Sequence, residues 1–69
     1  MNEILHQEED GRMMTVHEMA QYLRLSEAKV YQMARDGMIP AVRIGKSWRF
    51  KKEMVDEWIR REAEFAILV

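Results

Sequence analysis

From Thr15 onward, apolar and polar positions alternate with a helical period. Val16, Met19, Ala20 and Leu23 fall at i, i+3, i+4 and i+7, which puts them on one face of a helix. Thr15 and Glu18 stand at capping-box spacing, so each side chain can satisfy a backbone N–H that the first turn leaves unpartnered. Met14 is placed to staple onto Met19, and the stripe predicts a first helix ending near Arg24. The same grammar repeats after one or two linking residues. Leu25 precedes Ser26 as N-cap, Val30 is the staple partner of Leu25, and Val30, Met33 and Ala34 share a face. Gly37 is the expected stop, since glycine takes the left-handed backbone that closes a helix. Two short helices joined by so tight a link make a helix-turn-helix.

Pro40 forbids further helix, and the period changes to two. Val42 and Ile44 alternate with Arg43, and Trp48 and Phe50 alternate with Arg49 and Lys51. Gly45-Lys46-Ser47 reads as the loop between them. Residues 41–51 are therefore expected to form a two-stranded ribbon, with Arg43, Arg49 and Lys51 on one face and Val42, Ile44 and Phe50 anchoring the other. Trp48 falls on the inward phase with Phe50. A third helix begins near Lys52, points Met54, Val55, Trp58 and Ile59 inward, and runs to about Glu64. The fold class is α+β, mostly α, in the order α-α-β-β-α. Residues 1–12 read as a flexible acidic leader, 13–64 as the folded domain, and 65–69 as an apolar tail without a polar face of its own.

At 69 residues and 48% apolar content the chain is one small packed domain. It has no cysteine, hence no disulfide framework, thiolate nucleophile or Cys-based zinc site, and a cytoplasmic location is expected. The N-terminus lacks the basic and apolar regions of a signal peptide, and no run approaches the ~18 apolar residues of a membrane span. The inventory argues against an enzyme and calls for no cofactor. Ser26 is used as a cap and Ser47 as a loop residue, and the position four after His17 is Gln21, so a metal pair is missing. His6, Glu8, Glu9 and Asp10 lie in the acidic leader, where charge is expected to be solvated. The methionines Met13, Met14, Met19, Met33, Met38 and Met54 read as packing or surface residues.

The net charge of −1 speaks at first against nucleic acid. Resolved along the chain, it divides. Residues 1–11 hold four acids and no base, residues 12–61 hold all eleven basic residues against six acids, and Glu62 and Glu64 follow. On helix 2, the side opposite the apolar stripe is centred on Ala28, Gln32 and Arg35, with Tyr31 beside them. In a groove, an alanine methyl allows close approach, glutamine can pair with adenine, and arginine with guanine. Glu27 can accept from cytosine or simply favour the helix dipole. Taken alone, these residues also suit a merely solvated helix. The ribbon adds Arg43, Lys46, Arg49, Lys51 and Lys52, a cation-rich strip suited to phosphates or to protecting a sheet edge.

The segments SEAKVYQMARDG, IPAVRIGKSWRF and KEMVDEWI, in that order, closely resemble the excisionase-type DNA-binding domain, a winged helix-turn-helix related to the MerR superfamily. The resemblance covers residues 14–59. It implies a DNA-binding protein in which the second helix enters the major groove of double-stranded DNA and the hairpin wing lies along the backbone or minor groove. Recognition-helix candidates are then Ser26, Glu27, Ala28, Lys29, Tyr31, Gln32 and Arg35, and wing candidates are Arg43, Lys46, Ser47 and Arg49. Lys29 would touch backbone, Tyr31 is placed to bury its ring while its hydroxyl reaches a phosphate, and Trp48 is expected to pack on the helices. A stand-alone module of this kind suits either an excisionase-like accessory factor in DNA recombination, working with an integrase, or a small factor in transcription regulation, working with the transcription machinery. A protein-interaction adaptor that keeps the fold is the alternative. The tail residues Phe65, Ile67, Leu68 and Val69 are open to two uses, self-association on DNA or folding back onto the core.

Overall fold

The computed structural model describes residues 13–68, so the acidic leader of 1–12 and Val69 lie outside the described residues. Its elements are β1 (Met13–Met14), α1 (Val16–Leu23), α2 (Glu27–Arg35), β2 (Val42–Ile44), β3 (Ser47–Lys51) and α3 (Lys52–Leu68). This is a winged helix-turn-helix of three helices and a small antiparallel sheet.

Local chemistry sets the helix ends. The Thr15 hydroxyl accepts from the Glu18 amide at 3.1 Å, while the Glu18 carboxylate accepts from the Thr15 amide at 2.9 Å, completing the capping box. The Ser26 hydroxyl accepts from the Lys29 amide at 3.1 Å and starts α2. Past its end, the Gly37 amide donates to the Ala34 carbonyl and the Met38 amide to the Met33 carbonyl, with Gly37 at φ +71°. Those paired bonds are a Schellman closure. The end of α1 closes in the same manner, through Leu25 to Ala20 and Arg24 to Gln21, but on Arg24 at φ +61°. A side chain in that conformation crowds its own carbonyl and costs about 1–2 kcal/mol.

The two apolar stripes meet as expected: Val16, Met19 and Ala20 of α1 and Val30, Met33 and Ala34 of α2 are all buried. Phe50 and Val55 complete the core from β3 and α3, with Met14, Leu23, Ala41, Trp48 and Trp58 packed around it. Ile39 is buried as well, which the sequence pattern missed. It lies between a helix stop and a proline, where no periodicity marks it. Leu25, expected to staple onto Val30, keeps 41% of its surface exposed.

The sheet departs from expectation in two ways. Met14 pairs with Phe50 and Met13 with Lys51, so a third short strand joins the ribbon in the order β1-β3-β2. A two-residue segment beside a helix cap carries too little alternation to predict this. More consequential is the hairpin loop, which contains Gly45 and Lys46 only: Ile44 pairs with Ser47, Arg43 with Trp48 and Val42 with Arg49. Gly45 has φ +63° while Lys46 does not have positive φ, the pattern of a type II′ hairpin turn. A three-residue loop would put even positions opposite even ones; the two-residue loop puts even opposite odd. Because directly opposed residues share a face, one residue of loop length reassigns the faces. Val42 and Ile44 thus lie outward with Ser47, Arg49 and Lys51, and Arg43 shares the inward face with Trp48 and Phe50. The exposures agree: 47% for Val42, 56% for Ile44 and 0% for Phe50.

Helix α3 also exceeds its expected bounds, running without a break past Glu64 to Leu68. Val55 is fully buried and Trp58 packs on the core, but Met54 and Ile59 are exposed, contrary to the expectation that all four point inward. Phe65 and Ile67 are 66% and 81% exposed on the same continuous helix, so neither folds back onto the core. Among the described residues no helix is long and apolar enough to cross a membrane.

Candidate nucleic-acid interface

Burial of Val30, Met33 and Ala34 fixes the rotation of α2 about its axis. The opposite side presents Ala28, Gln32 and Arg35 with Tyr31 beside them, while Glu27 and Lys29 flank the buried stripe; all six are exposed, and the exposed N-cap Ser26 leads into them. Tyr31, beside that side, keeps 42% of its surface free, so it is less covered than the buried ring expected at the flank of the stripe. The short Ser26 and Ala28 leave the backbone approachable at the helix start, and Gln32 and Arg35 follow about one and two turns later on the same side.

One residue of this face is engaged already. The carboxylate of Glu27, at the start of α2, lies 2.6 Å from Nδ1 of His17, at the start of α1. Both side chains are more than half exposed, so the bond is open to exchange with another partner. The contact gives His17 a partner across the turn between α1 and α2. Lys29 and Arg35 form no ion pair among the described residues.

The wing distributes its cations over both faces and the tip. Arg43 lies over the Trp48 ring, 5.4 Å from its centroid, a distance at which the ring quadrupole attracts the guanidinium. Arg49 projects from the outward face and donates from one guanidinium nitrogen to the Trp48 carbonyl at 2.9 Å. Lys46 occupies the turn, with Ser47 beside it. None of Arg43, Lys46 or Arg49 has a carboxylate partner among the described residues, whereas Lys51 lies 3.8 Å from Glu53 and Lys52 lies 3.0 Å from Asp56. The sequence therefore identified the wing cations, but the structure does not bring Arg43 and Arg49 to one face as the alternation implied.

A second cluster escaped the sequence reading and links α1 to α3 at the surface. The Tyr22 hydroxyl on α1 donates to Asp56 on α3, Lys52 donates to the other carboxylate oxygen, and the Lys52 ammonium sits 4.9 Å from the Tyr22 ring centroid. The Tyr22 bond holds the Asp56 carboxyl below its ordinary value, with Lys52 adding to the effect. The same bond raises the Tyr22 phenol above its ordinary value. Tyr22 and Asp56 are 34 positions apart, and no spacing rule connects them.

Residues 13–63 match the family model of a helix-turn-helix domain. The chain is also similar to proteins from two strains of Mycobacterium tuberculosis, each carrying a provisional name as a DNA-binding protein. Each is 34% identical over 53 residues, covering 77% of this chain and 68% of the relative. No solved structure matches the chain.

Proposed function

The chain belongs to the helix-turn-helix domain family, and on that footing we propose that it binds double-stranded DNA, with α2 in the major groove and the β2–β3 wing against neighbouring phosphates or the minor groove. The observation that carries this reading is the pairing of two exposed surfaces. An approachable polar face on α2 accompanies a wing whose Arg43, Lys46 and Arg49 have no carboxylate partner among the described residues. Cations left without internal partners displace counterions from a phosphate backbone at no cost in internal ion pairs. The provisional DNA-binding names of the two mycobacterial relatives agree with it.

Within this reading, Ala28, Gln32 and Arg35 face base edges, while Ser26, Lys29 and Tyr31 hold the backbone near the start and flank of the helix. Arg43, Lys46, Ser47 and Arg49 contact the strands on either side of the wing. Glu27 reaches a base only by releasing His17. No step of catalysis and no cofactor enters. One such module offers few base contacts, so tight binding needs adjacent copies or a partner. The exposed Phe65 and Ile67 at the end of α3 supply a surface for self-association on DNA. Both an excisionase-like role in recombination beside an integrase and a role in transcription regulation employ such binding. An integrase gene adjacent to this one would favour the first, and an adjacent operon the second.

The test is a gel-shift titration with duplexes covering the DNA that flanks the gene, at low and rising salt. Binding that weakens steeply with salt, and that loses about 1–3 kcal/mol of discrimination at one base pair in Gln32→Ala or Arg35→Ala, supports the reading. No shift on any fragment at low salt refutes it.

A further inference from the structure

The wing carries two apolar side chains that neither the core nor phosphate contact explains. Val42 and Ile44 stand on the outward face, 47% and 56% exposed, in an edge strand paired on one side only. They are not surrounded by neutral surface. Arg49 lies directly opposite Val42, Ser47 directly opposite Ile44, and Lys46 follows in the turn. Residues 42–52 contain five basic residues and no acid. An apolar strip so framed is repelled by no phosphate, and its charge is the complement of a nucleic-acid groove.

The two-residue turn decides how such a ribbon can approach DNA. With Arg43 on the inward face, Arg49 on the outward face and Lys46 at the tip, the cations can meet phosphates on two sides at once. A groove has phosphates on two sides; a single exposed backbone does not. The minor groove is only about 6 Å wide, so a two-stranded ribbon with strands about 4.8 Å apart cannot enter it side-on with its side chains. The tip can. Ile44, adjacent to the turn and exposed, is then the apolar side chain that penetrates farthest.

Resting on the DNA-binding reading above, we propose that Ile44, with Val42 behind it, is an apolar wedge that presses into the minor groove, bends the duplex, and makes the wing select deformable DNA. Branched aliphatic side chains inserted at the minor groove partly unstack base steps and kink the helix. The energy of that distortion depends on the step distorted, and pyrimidine–purine steps such as TA yield more readily than A-tracts. The wing thereby acquires sequence preference without a hydrogen bond to any base. Lys46 and Arg49 supply affinity; Ile44 supplies the shape dependence.

The experiment uses the full chain and two 30-base-pair duplexes with dyes on both ends, one with an alternating TA core and one with an A-tract core of equal length. Fluorescence anisotropy gives affinity and energy transfer gives the bend. The wild type should prefer the alternating duplex by roughly tenfold, the size of a single base-pair effect, and shorten its end-to-end distance. Ile44→Ala should keep the salt dependence but lose most of both the preference and the shortening, while Lys46→Ala should weaken binding to both duplexes equally and keep the preference. Thermal melting of the free variants checks that Ile44→Ala remains folded, as its exposure requires. If Ile44→Ala bends and discriminates like the wild type, the wedge is refuted while DNA binding stands. If the wild type binds neither duplex at low salt, the underlying reading fails with it. If the wild type dimerises without DNA, Ile44→Ala is monomeric and bending is unchanged, the strip is a contact between copies and the wedge is equally refuted.

Discussion

Gly37 and Gly45 hold φ of +71° and +63°, and a Cβ built on either meets nothing within 4 Å. Their requirement is conformational, not steric. Gly37→Ala should therefore destabilise the domain by about 1 kcal/mol in urea denaturation without altering its packing. Arg24 offers the opposite case: Arg24→Gly relieves a left-handed arginine and should be neutral or stabilising despite the greater freedom of glycine in the unfolded chain. Tyr22 and Asp56 make a pH-dependent contribution whose sign follows from the Asp56 shift. Its folded value is depressed, principally by the Tyr22 bond, so the stabilisation is present above the unfolded carboxylate value of about 3.9 and disappears as pH falls through the lower, folded value. Both groups are exposed enough for solvent to keep the effect small. Melting followed from pH 6 to pH 2 should show a shallower acid loss in Tyr22→Phe and in Asp56→Asn than in the wild type. At this scale the caps Thr15 and Ser26 were legible because each depends on neighbours three residues away. The Tyr22–Asp56 bond was not, because it joins residues 34 positions apart.

The three helices were legible to different depths because burial covers different shares of each. In α1 and α2 one full stripe is buried, and the periodicity announced it. In α3 only Val55 is fully buried and Trp58 packs on the core, so the apolar Met54 and Ile59 suggested a wider buried face than exists. Beyond Trp58 the helix stands exposed to its last described side chains, held by local pairs such as Arg60 with Glu57 and with Glu64. Those pairs lie on exposed side chains, so solvent screens them and they hold the helix only weakly. Truncation after Glu64 should thus leave the melting temperature of the free domain nearly unchanged, while cooperative binding to adjacent DNA sites, read by gel shift, should fall. A lowered melting temperature at every concentration would instead mean that the helix end supports the core. In the ribbon, the alternation correctly called two strands but misassigned their faces. Composition does not distinguish a two-residue turn from a three-residue one when Gly-Lys-Ser follows Ile44; only the pairing of Ile44 with Ser47 does.

For the molecule as a whole, a net charge of −1 conceals a segment, residues 12–61, in which eleven bases outnumber six acids. We propose that one surface of this segment, made of α2 and the wing, meets DNA. The most direct test is a 1H–15N NMR titration of the full chain with a mixed-sequence 20-base-pair duplex at low salt. Amide and guanidinium shifts are expected to concentrate in residues 26–35 and 43–49 and to reverse with added salt, with the buried Val55 little moved. Shifts confined to the end of α3, or none in α2 and the wing while the duplex is in excess, would contradict the proposal.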